Sequence, residues 1–430
     1  MSSISETKND KAWRALFSKY DILSCIERNG SFKITSEQIN KFREARLMTK
    51  FDHRSNLPIL FKENSLSILP VTRGNYVISH FDAYQEIIFG DEITKVSFPD
   101  HLQSISPDNI TSETTALNCI YISGILADFV EDEELLPTVN GRMSSTSFSF
   151  NIMNTKSNKL VKMDVENSQI EIDGGYEGIK FLTLIEAKNS IADDFLIRQV
   201  YYPLRLWTSK IEKDIKPILL IYTNGVFSLY EYEFADPHNY NSLILLRHRN
   251  YSFESEDIEL NDLLQVMNLT KIVNEPTIPF PQADSFSRVI NLCEILYEKT
   301  ELTRDEITYQ YDFDVRQTNY YTDAGRYLGL IDKKREDGLI YYFLTDKGKS
   351  LFKLKYKARQ LKLVEVILEH RAFNQTLKLY LELASSPPKS KVVDIMKSSN
   401  LYRVEAESTF QRRAFTVSAW IDWILDLQHH

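Results

Sequence analysis

Residues 172–188 read Ile172-Asp173-Gly174-Gly175-Tyr176-Glu177-Gly178-Ile179-Lys180-Phe181-Leu182-Thr183-Leu184-Ile185-Glu186-Ala187-Lys188. Phe181 to Lys188 is an apolar run of strand length, and the side chains of a strand alternate between its faces. Leu182, Leu184, Glu186 and Lys188 therefore share one face, with Phe181, Thr183, Ile185 and Ala187 on the other. A carboxylate and an ammonium emerge side by side at the end of a strand otherwise apolar enough for a sheet interior. Burying such groups unpaired is costly, so they need a metal, a partner or a functional reason. Upstream, Leu160 to Asp173 has strand character, with Glu171 and Asp173 on one face. A glycine-rich turn over Gly174 to Gly178 would bring Asp173 next to Glu186. Paired hard oxygen ligands are what magnesium takes, with positions left for water and phosphate.

The flanking elements extend this pattern. A helix is expected from Ser112 to Phe129 and a strand from Ser147 to Ile152. An amphipathic helix from Asp193 to about Ser209 leads into Pro217 to Tyr222, a run buried on both faces by its composition. Asn224-Gly225 is a strong hairpin signal before the alternating strand Val226 to Phe234. The order α-β-β-β-α-β-β within residues 98–252 predicts an α/β core. Phe195, Gln199, Tyr202 and Leu206 fall on one helical stripe, where Gln199 needs a polar partner.

An Asp followed after 12 residues by Glu-Ala-Lys, on two paired strands before a helix, resembles the PD-(D/E)XK nuclease superfamily. The likeness spans residues 110–235 and is closest to type II restriction endonucleases. Ile172 stands where the family name has proline. The resemblance implies that Asp173 and Glu186 ligate Mg2+ together with the Ala187 carbonyl. It implies that Lys188 orients or helps deprotonate the attacking water, and that Gln199 points at the active site. Glu113 and Glu177 are candidates for an additional acidic ligand. It further implies site-specific hydrolysis of double-stranded DNA, a homodimer, and a cognate DNA methyltransferase as functional partner. A repair or junction-resolving nuclease on the same core is an alternative. A winged-helix DNA-binding regulator with an inert nuclease-like domain is another. No paired-histidine zinc motif, serine-hydrolase pattern or phosphate loop competes.

The expected architecture is α/β (α+β) and multidomain, with a restriction-endonuclease-like mixed sheet between two flanking modules. Residues 1–97 read as a small α+β, winged-helix-like module, with helices at Ala12 to Glu27 and from Ser36, then strands at Leu66 to Val71 and Tyr76 to Ser79. Its basic residues, among them Arg46 and Arg54, suggest DNA contact. Residues 253–284, acidic from Glu254 to Asp262 and carrying Pro276, Pro279 and Pro281, read as a linker.

Residues 285–360 have a winged-helix pattern: helices at Arg288 to Glu298, Thr303 to Tyr309 and Val315 to Leu330, then a hairpin tipped by Asp337-Gly338. The third helix offers Arg316, Gln317, Asn319 and Tyr320 to base edges or phosphates. The hairpin offers Lys333, Lys334 and Arg335 to phosphates. Lys347 to Lys362 holds seven basic residues and no acidic one, a further candidate face. In the helical region 361–430, Arg412 and Arg413 suit a phosphate clamp, and Arg142 precedes a core strand beside a serine cluster.

The 430 residues suffice for several domains, and 43% hydrophobic with 26% charged is ordinary for a globular chain. Leu117 to Phe129 is too short to cross a bilayer, and the first residues lack the apolar core of a signal peptide. Cys25, Cys119 and Cys293 lie far apart, the pattern of a reducing cytoplasm. A net charge of −9 argues against a general nucleic-acid coat protein. It leaves room for a sequence-specific enzyme, because phosphate binding depends on local basic patches.

Overall fold

The computed structural model describes residues 6–90, 92–108, 110–253, 256–311 and 313–429. Glu254, within the acidic stretch, lies outside them. Among the described residues the central feature is a seven-stranded mixed sheet. Its order is Ile93–Lys95, Leu243–Ser252, Val226–Phe234, Asp214–Thr223, Phe181–Lys188, Gln169–Glu177 and Leu136–Ser144. Phe181–Lys188 and Asp214–Thr223 run parallel. The crossover between them passes through a short strand, Asp194–Leu196, and the helix Arg198–Thr208. Gln169–Glu177 pairs antiparallel with Phe181–Lys188 on its other side. Asn224 and Gly225, at φ 48° and 81°, form the tight turn into Val226–Phe234, which suits the right-handed twist of the paired strands.

Helices cover both faces of the two central strands, and so both read as nearly continuous apolar runs. Leu182, Leu184, Leu219 and Ile221 pack with Tyr202 and Leu206 of the crossover helix. Ile185, Ala187, Ile218 and Leu220 pack with Ala116, Leu117, Ile120 and Leu126, from the helices Glu113–Ile122 and Ile125–Val130. The single helix expected over this last region is two, because Gly124 takes φ 79° between them.

Several boundaries differ from expectation for identifiable reasons. The stretch Leu160 to Asp173 is divided by Asn167 at φ 52°. Lys159–Val165 pairs with Phe148–Asn154 in a separate hairpin, and the next strand runs from Gln169 to Glu177. Gly174 and Gly175 are thus inside a strand, not in a turn. A Cβ on Gly175 would lie 2.6 Å from Val139 Cβ and 2.9 Å from Val139 O on the neighbouring strand. Glycine here permits close backbone approach. Leu136–Ser144 itself was not anticipated, since it is exposed along most of its length and shows no alternation.

The flanking modules share one strand order. In the N-terminal module, Asn75–Ser79 lies between Phe32–Thr35 and Ser67–Pro70, behind helices Lys8–Tyr20 and Ile22–Asn29 separated by Asp21 at φ 47°. Its core (Trp13, Leu16, Phe61) continues without a break into the Leu182 face of the large sheet. In the C-terminal module, Leu339–Leu344 lies between Glu301–Thr303 and Ile331–Glu336, with helices Phe286–Lys299, Arg304–Gln310 and Val315–Tyr327. The stretch read as a linker belongs to this module. It contains the helix Leu260–Leu269 and buries Ile258, Leu263, Phe280 and Ala283 in the C-terminal core. Among the described residues no helix is long and apolar enough to cross a membrane.

Candidate active site

Asp173, Glu186, Lys188 and Gln199 line one cleft of about 490 Å³. A strand irregularity helps aim the first of them. Val139 lies opposite Gly175 and Gly141 opposite Ile172, so the Asp173 strand carries one residue more than its partner over this interval. Such a bulge bends the strand and redirects side chains. Ile172 packs into the core under the crossover helix, and Asp173 Oδ2 accepts a 2.9 Å hydrogen bond from the Ala187 N–H. Glu186, 9% exposed, accepts at Oε1 from Lys188 Nζ at 2.6 Å and from Gln199 Nε2 at 2.5 Å. Gln199 thereby finds the polar partner its apolar stripe required. Phe195, placed on that stripe, instead lies on the preceding short strand.

Burial dominates the electrostatics. It pushes the Glu186 carboxyl up to about 8, with Lys188 pulling the other way and Asp173 adding to the rise. Burial likewise raises Asp173, partly relieved by the Ala187 N–H. Glu113 also lines the cleft and is raised by burial, against the pull of Lys188. Burial works against the Lys188 ammonium, yet Glu186, Asp52 and Glu113 outweigh it and hold the group above its ordinary value.

All three modules reach this cleft. The N-terminal module contributes Lys50, Asp52 and His53, and the C-terminal module Glu298, Lys299 and Tyr311. Sequence reasoning missed Asp52, whose Oδ2 is 3.8 Å from Lys188 Nζ; no local pattern signals a contact between positions so far apart. Arg198, at the start of the crossover helix, was also missed. The segment after Lys188 is tied to the helix Phe286–Lys299. Ile191 N–H donates to Asn291 Oδ1 (3.0 Å), Asn291 Nδ2 to the Asn189 carbonyl (2.9 Å) and Asn189 Nδ2 to Glu298 Oε2 (3.0 Å). Arg288 pairs with Asp193 at 2.7 Å.

Other predicted residues fall elsewhere or are engaged within the protein. Glu177 sits at the far end of its strand, 2.7 Å from Lys213, and does not line the cleft. Arg142 does line it and pairs with Glu171 at 3.1 Å. Arg54 is held among Asp82, Glu86 and Asp194, at the short strand Asp194–Leu196 and its antiparallel partner Tyr84–Glu86, and Arg46 pairs with Glu44.

On the helix Val315–Tyr327, Arg316 is exposed, with its guanidinium 5.8 Å from the Tyr320 ring. Asn319 is half-buried. Gln317 Oε1 accepts from the Asp314 N–H in a capping box, which commits its amide to the start of the helix. Lys333 and Arg335 are exposed, while Lys334 pairs with Glu301 and Glu336. Arg412 is exposed. Arg413 is half-buried, and burial together with Arg412 depresses its guanidinium. In the basic run Lys347 to Lys362, Lys349, Lys353 and Lys355 are exposed, Lys347, Lys357 and Lys362 pair with Glu369, Asp262 and Glu365, and Arg359 is buried.

Among the described residues no set of three or more His, Cys, Asp or Glu side chains is arranged to hold a metal ion. Magnesium does not require one, since it keeps several waters and takes one or two carboxylates plus substrate phosphate. Two features fit such an ion. Asp173 and Glu186 are a desolvated like-charge pair whose cost a divalent cation offsets. Gln199 Oε1 and Asp52 Oδ1 are buried acceptors without a protein donor, and water around a hydrated cation would satisfy them.

The fold and cleft thus define a mixed α/β protein with a carboxylate–lysine centre shared by three modules. Three family models match it, each over less than half of the chain: Domain of unknown function (DUF6996) over residues 10–78, Domain of unknown function (DUF6997) over 79–252 and Domain of unknown function (DUF7226) over 288–429. The middle match contains Asp173, Glu186 and Lys188, and the first contains Asp52. No curated protein and no solved structure matches the chain.

Proposed function

We propose that the chain is a magnesium-dependent endonuclease that hydrolyses phosphodiester bonds in duplex DNA at specific sites, a type II restriction endonuclease with a PD-(D/E)XK core. The observation that carries this reading is the meeting of Asp173, Glu186 and Lys188 in one cleft, on two neighbouring antiparallel strands and away from the turn that joins them, under a helix that supplies Gln199. Asp173 and Glu186, with the Ala187 carbonyl, would hold the cation. Magnesium bound there would neutralise charge developing on the scissile phosphate and acidify a water. Lys188 would hold that water in line by its ammonium, and Gln199 would fix the Glu186 carboxylate through its amide. Arg142 and Lys50 at the cleft would meet flanking phosphates, whose contacts set register rather than sequence.

The C-terminal order of helix, strand, helix, helix and two strands supports a winged helix. Its third helix would present Arg316, Asn319 and Tyr320 to base edges, and its wing Lys333 and Arg335 to phosphate. Cutting both strands of a symmetric site favours a homodimer. The test is digestion of a sequenced plasmid with magnesium by wild type and Glu186→Gln. Discrete bands from wild type alone are expected. Intact plasmid together with binding at a defined site would point instead to a non-enzymatic regulator, and a preference for branched over linear duplex to a junction-resolving enzyme.

A further inference from the structure

We infer that Asp52, supplied by the N-terminal module, is a positioning residue for Lys188; the inference rests on the nuclease reading above. Lys188 is flanked by two carboxylates, Glu186 at 2.6 Å and Asp52 at 3.8 Å. The Glu186 oxygen that it touches, Oε1, also accepts from Gln199. A carboxylate that takes up a cation has less negative charge to offer an ammonium, so the hold of Glu186 on Lys188 weakens when the centre is loaded. Asp52 is the second acidic group in ion-pair contact with that ammonium.

The backbone that carries Asp52 is fixed to the core on both sides. Leu196 N–H donates to the Asp52 carbonyl (3.0 Å), and the Tyr84 hydroxyl donates to the Phe51 carbonyl (3.0 Å). His53 Nδ1 is 2.6 Å from the Asp194 carbonyl, and Arg54 N–H donates to Asp194 Oδ1 (3.1 Å). Phe51 and His53 are themselves buried at 1% and 2% exposure. A carboxylate on so rigid a segment serves as a fixed stop for a lysine side chain with four rotatable bonds. An exposed ion pair would have no such support, and here the Lys188 and Asp52 side chains are only 14% and 22% exposed. The N-terminal module therefore completes the centre as well as flanking it.

The experiment uses the full chain as wild type, Asp52→Asn, Asp52→Glu, Lys188→Met and the double variant Asp52→Asn/Lys188→Met. Single-turnover cleavage is measured with magnesium, duplex affinity with calcium in its place, and thermal melting alongside. Asp52→Asn is expected to slow cleavage about 100-fold, the scale of a misplaced catalytic group, with affinity and melting little changed. Asp52→Glu should recover part of the rate. The double variant should be no slower than Lys188→Met alone, because a residue acting through Lys188 has nothing left to position. Wild-type rates from Asp52→Asn, a matching loss of affinity and melting temperature, or additive losses in the double variant would each overturn the assignment. A wild type that cuts no DNA would instead overturn the nuclease reading, and this inference with it.

Discussion

Replacing Gly175 by alanine should destabilise the protein, and replacing Gly174 should not. A Cβ at position 175 meets Val139 Cβ at 2.6 Å and Val139 O at 2.9 Å. Both atoms belong to a paired strand and can move only with its backbone. At position 174 the nearest atoms are the edge of the Tyr176 ring at 3.0 Å and a Leu117 methyl at 3.3 Å, which small side-chain rotations relieve. Overpacking of the first kind costs roughly 1–3 kcal/mol, while loss of a glycine's unfolded-state freedom returns about 0.4–1 kcal/mol. The expected net is a loss of about 1–2 kcal/mol for Gly175→Ala and near zero for Gly174→Ala. Thermal melts of the two variants give the comparison, and hydrogen exchange over residues 136–144 and 169–177 locates the damage. Since the bulge that aims Asp173 lies beside this contact, cleavage should fall with stability in the first variant only. Equal effects at both positions would refute the reasoning, because a glycine turn, unlike a strand crossing, gives no cause to single out position 175.

Two further outcomes follow from the charges. The Glu186 carboxyl, raised by burial from its ordinary 4.5 to about 8, keeps in the metal-free fold a proton that the unfolded chain has already released between those values. Its contribution to stability therefore falls as pH climbs through that window, by up to about 1.4 kcal/mol per pH unit. Magnesium needs the ionised form, so its stabilising shift in melting temperature should be larger at pH 8.5 than at pH 6.5; equal shifts would contradict the assignment of Glu186 as a ligand. On the wing, Lys333→Glu and Arg335→Glu should each weaken duplex binding and lower the salt dependence by about one counterion. Lys334→Glu should do less, because that ammonium already faces Glu301 and Glu336.

The parts of the fold that the sequence disclosed are those whose signal is local. Glu186 and Lys188 stood out because charge at the end of an apolar strand needs a cause. Asn224-Gly225 and Asp337-Gly338 stood out because both positions of each pair take positive φ. Where the reason for a residue lay elsewhere in the chain, reading failed. Gly174 and Gly175 resemble a turn until Val139 lies against them. Leu136–Ser144 is exposed along most of its length and so has no period to detect. The prolines of 276–281 suggested a spacer, yet Phe280 and Ala283 are buried. Of the basic run 347–362, Lys349, Lys353 and Lys355 do lie at the surface, but the acidic partners of Lys347, Lys357 and Lys362 are set by the tertiary fold. Asp52 gave no sign at all, since its neighbour Lys188 is joined to it only through the tertiary fold.

The bonds from Asn291, Glu298 and Arg288 to residues 189–193 set the leverage of the machine. The strand that ends in Lys188 is, one residue later, fastened to the first helix of the C-terminal module. A tilt of that helix would be passed to the amine through a single peptide unit, so under the proposed nuclease reading a substrate gripped by the C-terminal module would pull on the lysine by one short mechanical link.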